Sequence, residues 1–129
     1  MNVNHLEVKN FRNIERTTID PCDGVNIIYG ENAQGKTNLL EAIWLFCGAK
    51  SFRGAKDSEL LGFNCEKAVN SCNFIFGETE KNAKIIIEQN RKAELNGKML
   101  SSASKLAGNF YAIVFSIISS QIVQVLSPV

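Results

Sequence analysis

Apolar and polar residues alternate over residues 3–9, a period of two that predicts a β-strand. Asn10-Phe11-Arg12-Asn13 predicts a turn, and residues 14–19 a second strand. The breakers Asp20-Pro21-Cys22-Asp23-Gly24 end that hairpin. A short apolar run, Val25-Asn26-Ile27-Ile28-Tyr29, predicts a third strand. The pattern then changes to a helix over residues 37–47. Leu39, Leu40, Ala42, Ile43, Trp44, Leu45 and Phe46 make this helix apolar on nearly every side, so it is expected inside a core or between layers. Trp44 is accordingly read as core before base-stacking platform.

Residues 48–56 predict a loop, and residues 57–63 a short helix with Asp57 or Ser58 as cap. The second half reads as strands over residues 68–76 and 83–89, joined by a polar turn at Gly77-Glu78-Thr79-Glu80. Asn96-Gly97 is a strong hairpin signal between residues 92–95 and 98–100. Residues 101–107 predict a short helix and residues 110–116, rich in β-branched and aromatic side chains, a buried strand. There is no regular βαβ alternation, which argues against a plain doubly wound sheet. The expected fold class is mixed α/β (α+β). One sheet carries the glycine-rich loop and an adjacent antiparallel sheet packs beside it.

That loop carries the chemistry. Gly30, Glu31, Asn32, Ala33, Gln34, Gly35, Lys36 and Thr37 fill G-x-x-x-x-G-K-[ST] without a mismatch, between the expected strand and the expected helix. Gly30 and Gly35 tolerate backbone angles that a side chain forbids, so the loop can fold round a phosphate and aim N–H groups at it. A helix opening near Lys36 adds further donors and the positive end of its dipole. Lys36 is expected to reach the β- and γ-phosphates of a nucleoside triphosphate, and the Thr37 hydroxyl to ligate Mg²⁺.

With 129 residues, 45% apolar and 21% charged, the chain is one ordinary globular domain with a real core. A net charge of +1 provides no global basic field, so DNA contact must come from a local patch or from partners. Cys22, Cys47, Cys65 and Cys72 show no metal-ligand spacing, and free cysteines suit a reducing cytoplasm. Cys47 reads as a small buried hydrophobe. No secretory signal opens the chain. Residues 110–129 carry no charge, but Ser116, Ser119, Ser120, Gln121, Gln124 and Ser127 interrupt their apolarity and no basic flank follows, which argues against a membrane span. The chain stops within this apolar run, as expected of the front part of a longer protein or of a product cut short.

Four segments together resemble the RecF family of DNA repair proteins: residues 6–14, residues 30–43, Lys50-Ser51-Phe52-Arg53-Gly54 and Asp57-Ser58-Glu59-Leu60-Leu61. The resemblance covers essentially the whole chain. It implies an incomplete ABC-type ATPase head related to structural-maintenance-of-chromosomes (SMC) proteins. Such heads bind ATP and Mg²⁺, dimerise over the nucleotide and engage DNA; the family acts with RecO and RecR at gapped DNA, loading RecA and supporting replication recovery and the SOS response. The resemblance also places Arg12 beside the phosphates and Arg53 where an arginine links DNA to the ATP site. An acidic Walker B strand and a signature segment are missing, and the family carries both much later. Near the end, Phe115-Ser116 is followed by Ile117-Ile118-Ser119-Ser120, where the family usually reads Phe-Ser-Pro-Glu-Asp-Leu.

Lys50, Arg53 and Lys56 form a basic cluster without intervening acids. On the residues alone, complementing the dipole at the end of the preceding helix is favoured over a DNA-phosphate contact. The family resemblance reverses that preference for Arg53. Glu31 and Glu41, the nearest carboxylates to the loop, are not placed at a strand end as a catalytic acid requires, so ATP turnover by this chain alone is not expected. A P-loop kinase or small GTPase is the alternative from another class, but neither an Asn-Lys-x-Asp motif nor an arginine-rich lid is present. A truncated product that does not fold is the third reading.

Overall fold

The structure, a computed structural model, describes residues 1–31, 33–118 and 121–126. Six antiparallel strands form one sheet: β1 (Asn2–Phe11), β2 (Ile14–Ile19), β3 (Ala68–Phe76), β4 (Thr79–Ile87), β5 (Arg91–Leu95) and β6 (Lys98–Met99). Their order is β2-β1-β3-β4-β5-β6, and a separate hairpin pairs β7 (Ile113–Ile118) with β8 (Gln121–Leu126). Alternation along β3 buries Ala68, Asn70, Cys72 and Phe74 on one face, and β1 and β4 add Leu6, Val8, Ala83, Ile85 and Ile87 to it. Asn70 is fully buried and its side-chain amide finds no hydrogen-bond partner among the described residues, a cost of about 1–3 kcal/mol that the surrounding apolar burial offsets. Burial also pushes the Cys72 thiol up to about 12.

The helix α1 (Ala33–Trp44) covers that face with Leu39 and Ala42, and a 3₁₀ turn at Leu45–Cys47 extends it with three more buried side chains. Trp44 and Cys47 are core residues, as their position in the apolar run implies. Gly48 ends the segment in the left-handed region, at φ 77°, donating its N–H to the Leu45 carbonyl. The short helix expected over residues 57–63 is a 3₁₀ turn at Asp57–Leu60. Asp57 does not cap it; its carboxylate accepts the Arg91 N–H at 3.1 Å instead. The helix expected over residues 101–107 is likewise a 3₁₀ turn, Ala103–Leu106.

Three expectations about strands need correction. The strand expected over residues 83–89 runs from Thr79 to Ile87, so the turn before it is only Gly77-Glu78. Val25-Asn26-Ile27-Ile28-Tyr29 forms no strand; Val25, Ile27 and Tyr29 are exposed, since no neighbouring strand among the described residues offers the segment a hydrogen-bonding edge. The strand expected over residues 110–116 begins later, at Ile113, and only Val114 of its described side chains is buried. Phe110, just before it, packs into the core against Phe46 and Phe74. No helix among the described residues is long and apolar enough to cross a membrane.

Candidate functional site

The glycine-rich loop wraps the start of α1. That helix opens at Ala33, ahead of the start expected near Lys36. Ala33 and Gln34 are good helix formers and outweigh the cost of Gly35, about 1 kcal/mol. The first turn of a helix aims N–H groups outward and carries the positive dipole end. Lys36 lies on this turn, and its ammonium donates to the Gly30 carbonyl, bridging the two ends of the loop. A cleft of about 330 Å³ opens beside them, lined by Ile14, Thr17, Tyr29, Gly30, Gly35 and Lys36. Glu31, exposed, is the sole carboxylate among the described residues of that lining. Asn32 lies outside the described residues, as do the side chains of Ala33 and Gln34. A cation, a positive helix end and glycine backbone gathered at one cleft suit a polyphosphate.

Next to the loop, α1 carries a second assembly. Glu41, one turn beyond Thr37, is completely buried. Arg12 donates to it through Nε at 2.5 Å and Nη2 at 3.2 Å. Arg53 donates through Nη2 at 2.8 Å and Nε at 3.2 Å, and the Ser51 hydroxyl at 2.5 Å. Arg53 also donates to Asn38 at 2.6 Å, and Asn38 to Asn13 at 2.6 Å. Burial by itself would raise the Glu41 pKa, but the hydrogen bonds from Arg12, Arg53 and Ser51 outweigh it and hold the carboxyl below its ordinary value.

Backbone geometry delivers both arginines. Arg12 occupies the β1–β2 turn at φ 50°, a conformation costing a non-glycine residue about 1–2 kcal/mol. The turn is held there by bonds from Arg12 N–H to the Leu60 carbonyl and from Gly62 N–H to the Asn10 carbonyl. Arg53 sits in a turn closed by the Gly54 N–H and the Ser51 carbonyl, with its guanidinium 5.9 Å from the Phe52 ring centre. Phe52 in turn packs edge-on to Trp44. A second cleft, about 380 Å³, runs past Asn10, Arg12, Asn13 and Phe63, and Ile14 lines both clefts.

The three basic residues are not equally placed. Lys50 and Lys56 are exposed while Arg53 turns inward to Glu41. No basic residue occupies the last turn of α1 or of the 3₁₀ turn after it. Sequence reasoning weighed Glu41 only as a catalytic acid and missed it as the anchor of two arginines. The one available signal was a lone carboxylate, Glu41, within the apolar run over residues 39–46.

A sequence family described as AAA domain matches residues 5–125. The chain is 40% identical over 121 residues to the DNA replication and repair protein RecF of Caldanaerobacter subterraneus subsp. tengcongensis, covering 90% of this chain and 33% of that one. It is equally 40% identical over 121 residues to RecF of Ruminiclostridium cellulolyticum, with 90% and 32% covered. The chain thus spans about a third of the length of the curated relatives it matches. A solved structure of the recombination mediator protein RecF-ATPrS in the RecFOR pathway superposes with a TM-score of 0.83 at 38% identity, over 89% of this chain and 32% of that one. The SMC head domain from Thermotoga maritima superposes with a TM-score of 0.64 at 24% identity, over 87% and 43%, and shares the fold.

Proposed function

We propose, for a chain that belongs to the AAA domain family, that it is the ATP-binding part of a RecF-like protein of recombinational DNA repair and replication recovery. The observation that carries this reading is the cleft at residues 30–37, where Lys36, Gly30, Gly35 and the positive end of α1 converge. Its support from outside the chain is the similarity to RecF relatives and to the solved RecF-ATPrS structure. ATP is the ligand. Lys36 exchanges the Gly30 carbonyl for phosphate oxygens, Thr37 contributes its hydroxyl to Mg²⁺, and backbone N–H groups of the loop hold the rest. Arg12, on the rim of the adjoining cleft, approaches the phosphates. Arg53, with Lys50 and Lys56, contacts DNA phosphates near gaps.

In the same reading the whole protein forms an ATP-dependent homodimer, works with RecO and RecR, and resides in the cytoplasm. Among the described residues the cysteines form no disulfide, which suits that compartment. Nucleotide binding tests the central point. Magnesium ATP should bind the chain and lose at least about tenfold in affinity on Lys36→Ala, as removal of a charge-assisted contact of about 1.4 kcal/mol or more requires. Equal affinity of the two proteins removes Lys36 from the site and the reading with it.

A further inference from the structure

We propose that the second cleft, between the β1–β2 turn and the turn Gly62–Cys65, takes an unpaired base of single-stranded DNA, with the Phe63 ring as its stacking surface. Lys36 and Gly30 do not line this cleft, and neither do Lys50, Arg53 or Lys56. The site is therefore separate from the ATP cleft and from the DNA contacts given above. DNA, rather than RNA, follows from the repair reading, on which the inference rests in that respect alone.

The backbone around this cleft is unusual. Four non-glycine residues among those described have left-handed backbone: Asn10 at φ 56°, Arg12 at 50°, Asn64 at 58° and Asn96 at 51°. Asn96 belongs to the Asn96-Gly97 hairpin turn, where that conformation is expected. The other three surround the cleft: Asn10 and Arg12 line it, and Asn64 lies between Phe63 and Cys65, which also line it. Backbone held in such sparsely populated regions gathers at ligand sites. The two turns are also pinned together. Gly62 N–H donates to the Asn10 carbonyl at 2.7 Å, and Cys65 N–H to the Gly62 carbonyl at 3.0 Å. A Cβ at Gly62 would lie 3.1 Å from the Asn10 oxygen and 3.1 Å from the Cys65 sulfur, so the contact has no spare room. Phe63 thus projects from a fixed turn, yet its side chain contributes nothing to the core and is 91% exposed.

The lining chooses the class of ligand. Its charged groups, Arg12 and Glu15, are opposite in sign, so the cleft does not select an anion. A flat aromatic face beside donors and acceptors suits a neutral heterocycle. The Asn13 amide is oriented by the bond its oxygen accepts from Asn38, and its NH₂ group makes no hydrogen bond among the described residues. Glu15, exposed, offers acceptors for a base N–H. At about 380 Å³ the cleft has the size of a small-ligand site, roughly 300–1,000 Å³. Exposed Lys9 and Lys67 adjoin it, Lys9 as the neighbour of Asn10 and Lys67 through the bond from the Asn10 amide to its carbonyl at 3.2 Å. They can meet the phosphates on either side of the bound base. A duplex hides its base faces, whereas an unpaired base offers one to an aromatic ring.

The test is strand binding by the full chain without nucleoside triphosphate, read by fluorescence anisotropy on a short labelled strand of thymidines. Phe63→Ala should weaken binding about fivefold or more, the loss expected of one stacked base. Because the ring is exposed, its removal should leave the urea midpoint unchanged, which shows that the variant is folded. Phe63→Trp should keep or raise the affinity. Phe63→Leu, apolar but without an aromatic face, should bind as weakly as Phe63→Ala. A strand of the same length built on abasic sugars should bind wild type as weakly as the thymidine strand binds Phe63→Ala. A blunt duplex should bind wild type and Phe63→Ala alike. No strand binding by wild type, or equal affinity of wild type and Phe63→Ala, overturns the proposal. Wild-type affinity in Phe63→Leu overturns it too, since the ring would then act as an apolar contact, as for a protein partner. An equal loss on the duplex does the same. The ATP reading is tested separately, by Lys36→Ala with magnesium ATP, so either can fail while the other stands.

Discussion

Glu41 shows how one residue can be costly alone and useful in company. A carboxylate taken fully out of water loses several kcal/mol of hydration, and its five hydrogen bonds repay that only while all partners stay. Glu41→Gln, which leaves two guanidiniums facing a neutral amide, should destabilise the chain at neutral pH by about 3–5 kcal/mol in urea unfolding. The pH dependence has a definite sign. The folded-state pKa lies below the ordinary 4.5, so the carboxylate's contribution is complete above that pH and is lost as pH falls through the depressed value. The gap between wild type and Glu41→Gln should therefore narrow on acidification below about pH 4.5, and a constant gap down to acid unfolding would contradict the ion-pair account. Arg12 and Arg53 were both legible as candidates from Asn-Phe-Arg and Ser-Phe-Arg. Their meeting at Glu41 was not, because contacts 29 and 12 positions apart leave no trace in local spacing.

Among the elements, those with a period of two were read best. The strands Ile14–Ile19 and Ala68–Phe76 coincide with their expected bounds, and the Asn96-Gly97 turn has both residues in the left-handed region, φ 51° and 81°. Helical ends were read less well. The apolar run that predicts one helix to residue 47 is in fact an α-helix to Trp44 and a tighter turn to Cys47, because packing on β4 and the cap at Gly48 shape the end. Gly48 is the element-scale weak point. A Cβ there would lie 2.7 Å from the Ala107 nitrogen and 2.9 Å from the Ser104 oxygen, at a φ of +77°. Gly48→Ala should cost about 1–3 kcal/mol from the backbone conformation, with the close contacts adding to it. A midpoint unchanged in urea would show that the cap and the Ala103–Leu106 turn separate freely.

For the molecule as a whole, one face of the six-stranded sheet is closed by α1 and the turns that follow it, while the segment before the glycine-rich loop is left in water. Val25 is 85%, Ile27 80% and Tyr29 89% exposed. A run of this kind invites association. Val25→Thr with Ile27→Lys should reduce concentration-dependent light scattering while leaving stability within about 0.5 kcal/mol, the usual range for exposed sites. Unchanged scattering would place the sticky surface elsewhere, for instance at Ile113 and Phe115, also largely exposed.

The glycine-rich motif, the hairpins and the apolar helix were readable in one dimension, since glycine placement, alternation and helical run length act over a few neighbours and need no distant partner. Whether an apolar run becomes a strand, which of three clustered cations faces water, and where a lone helix carboxylate finds its counter-ions depend on segments far apart in sequence. Those outcomes came from the fold, because hydrogen-bonding edges and buried charges are satisfied by whatever the chain brings alongside them.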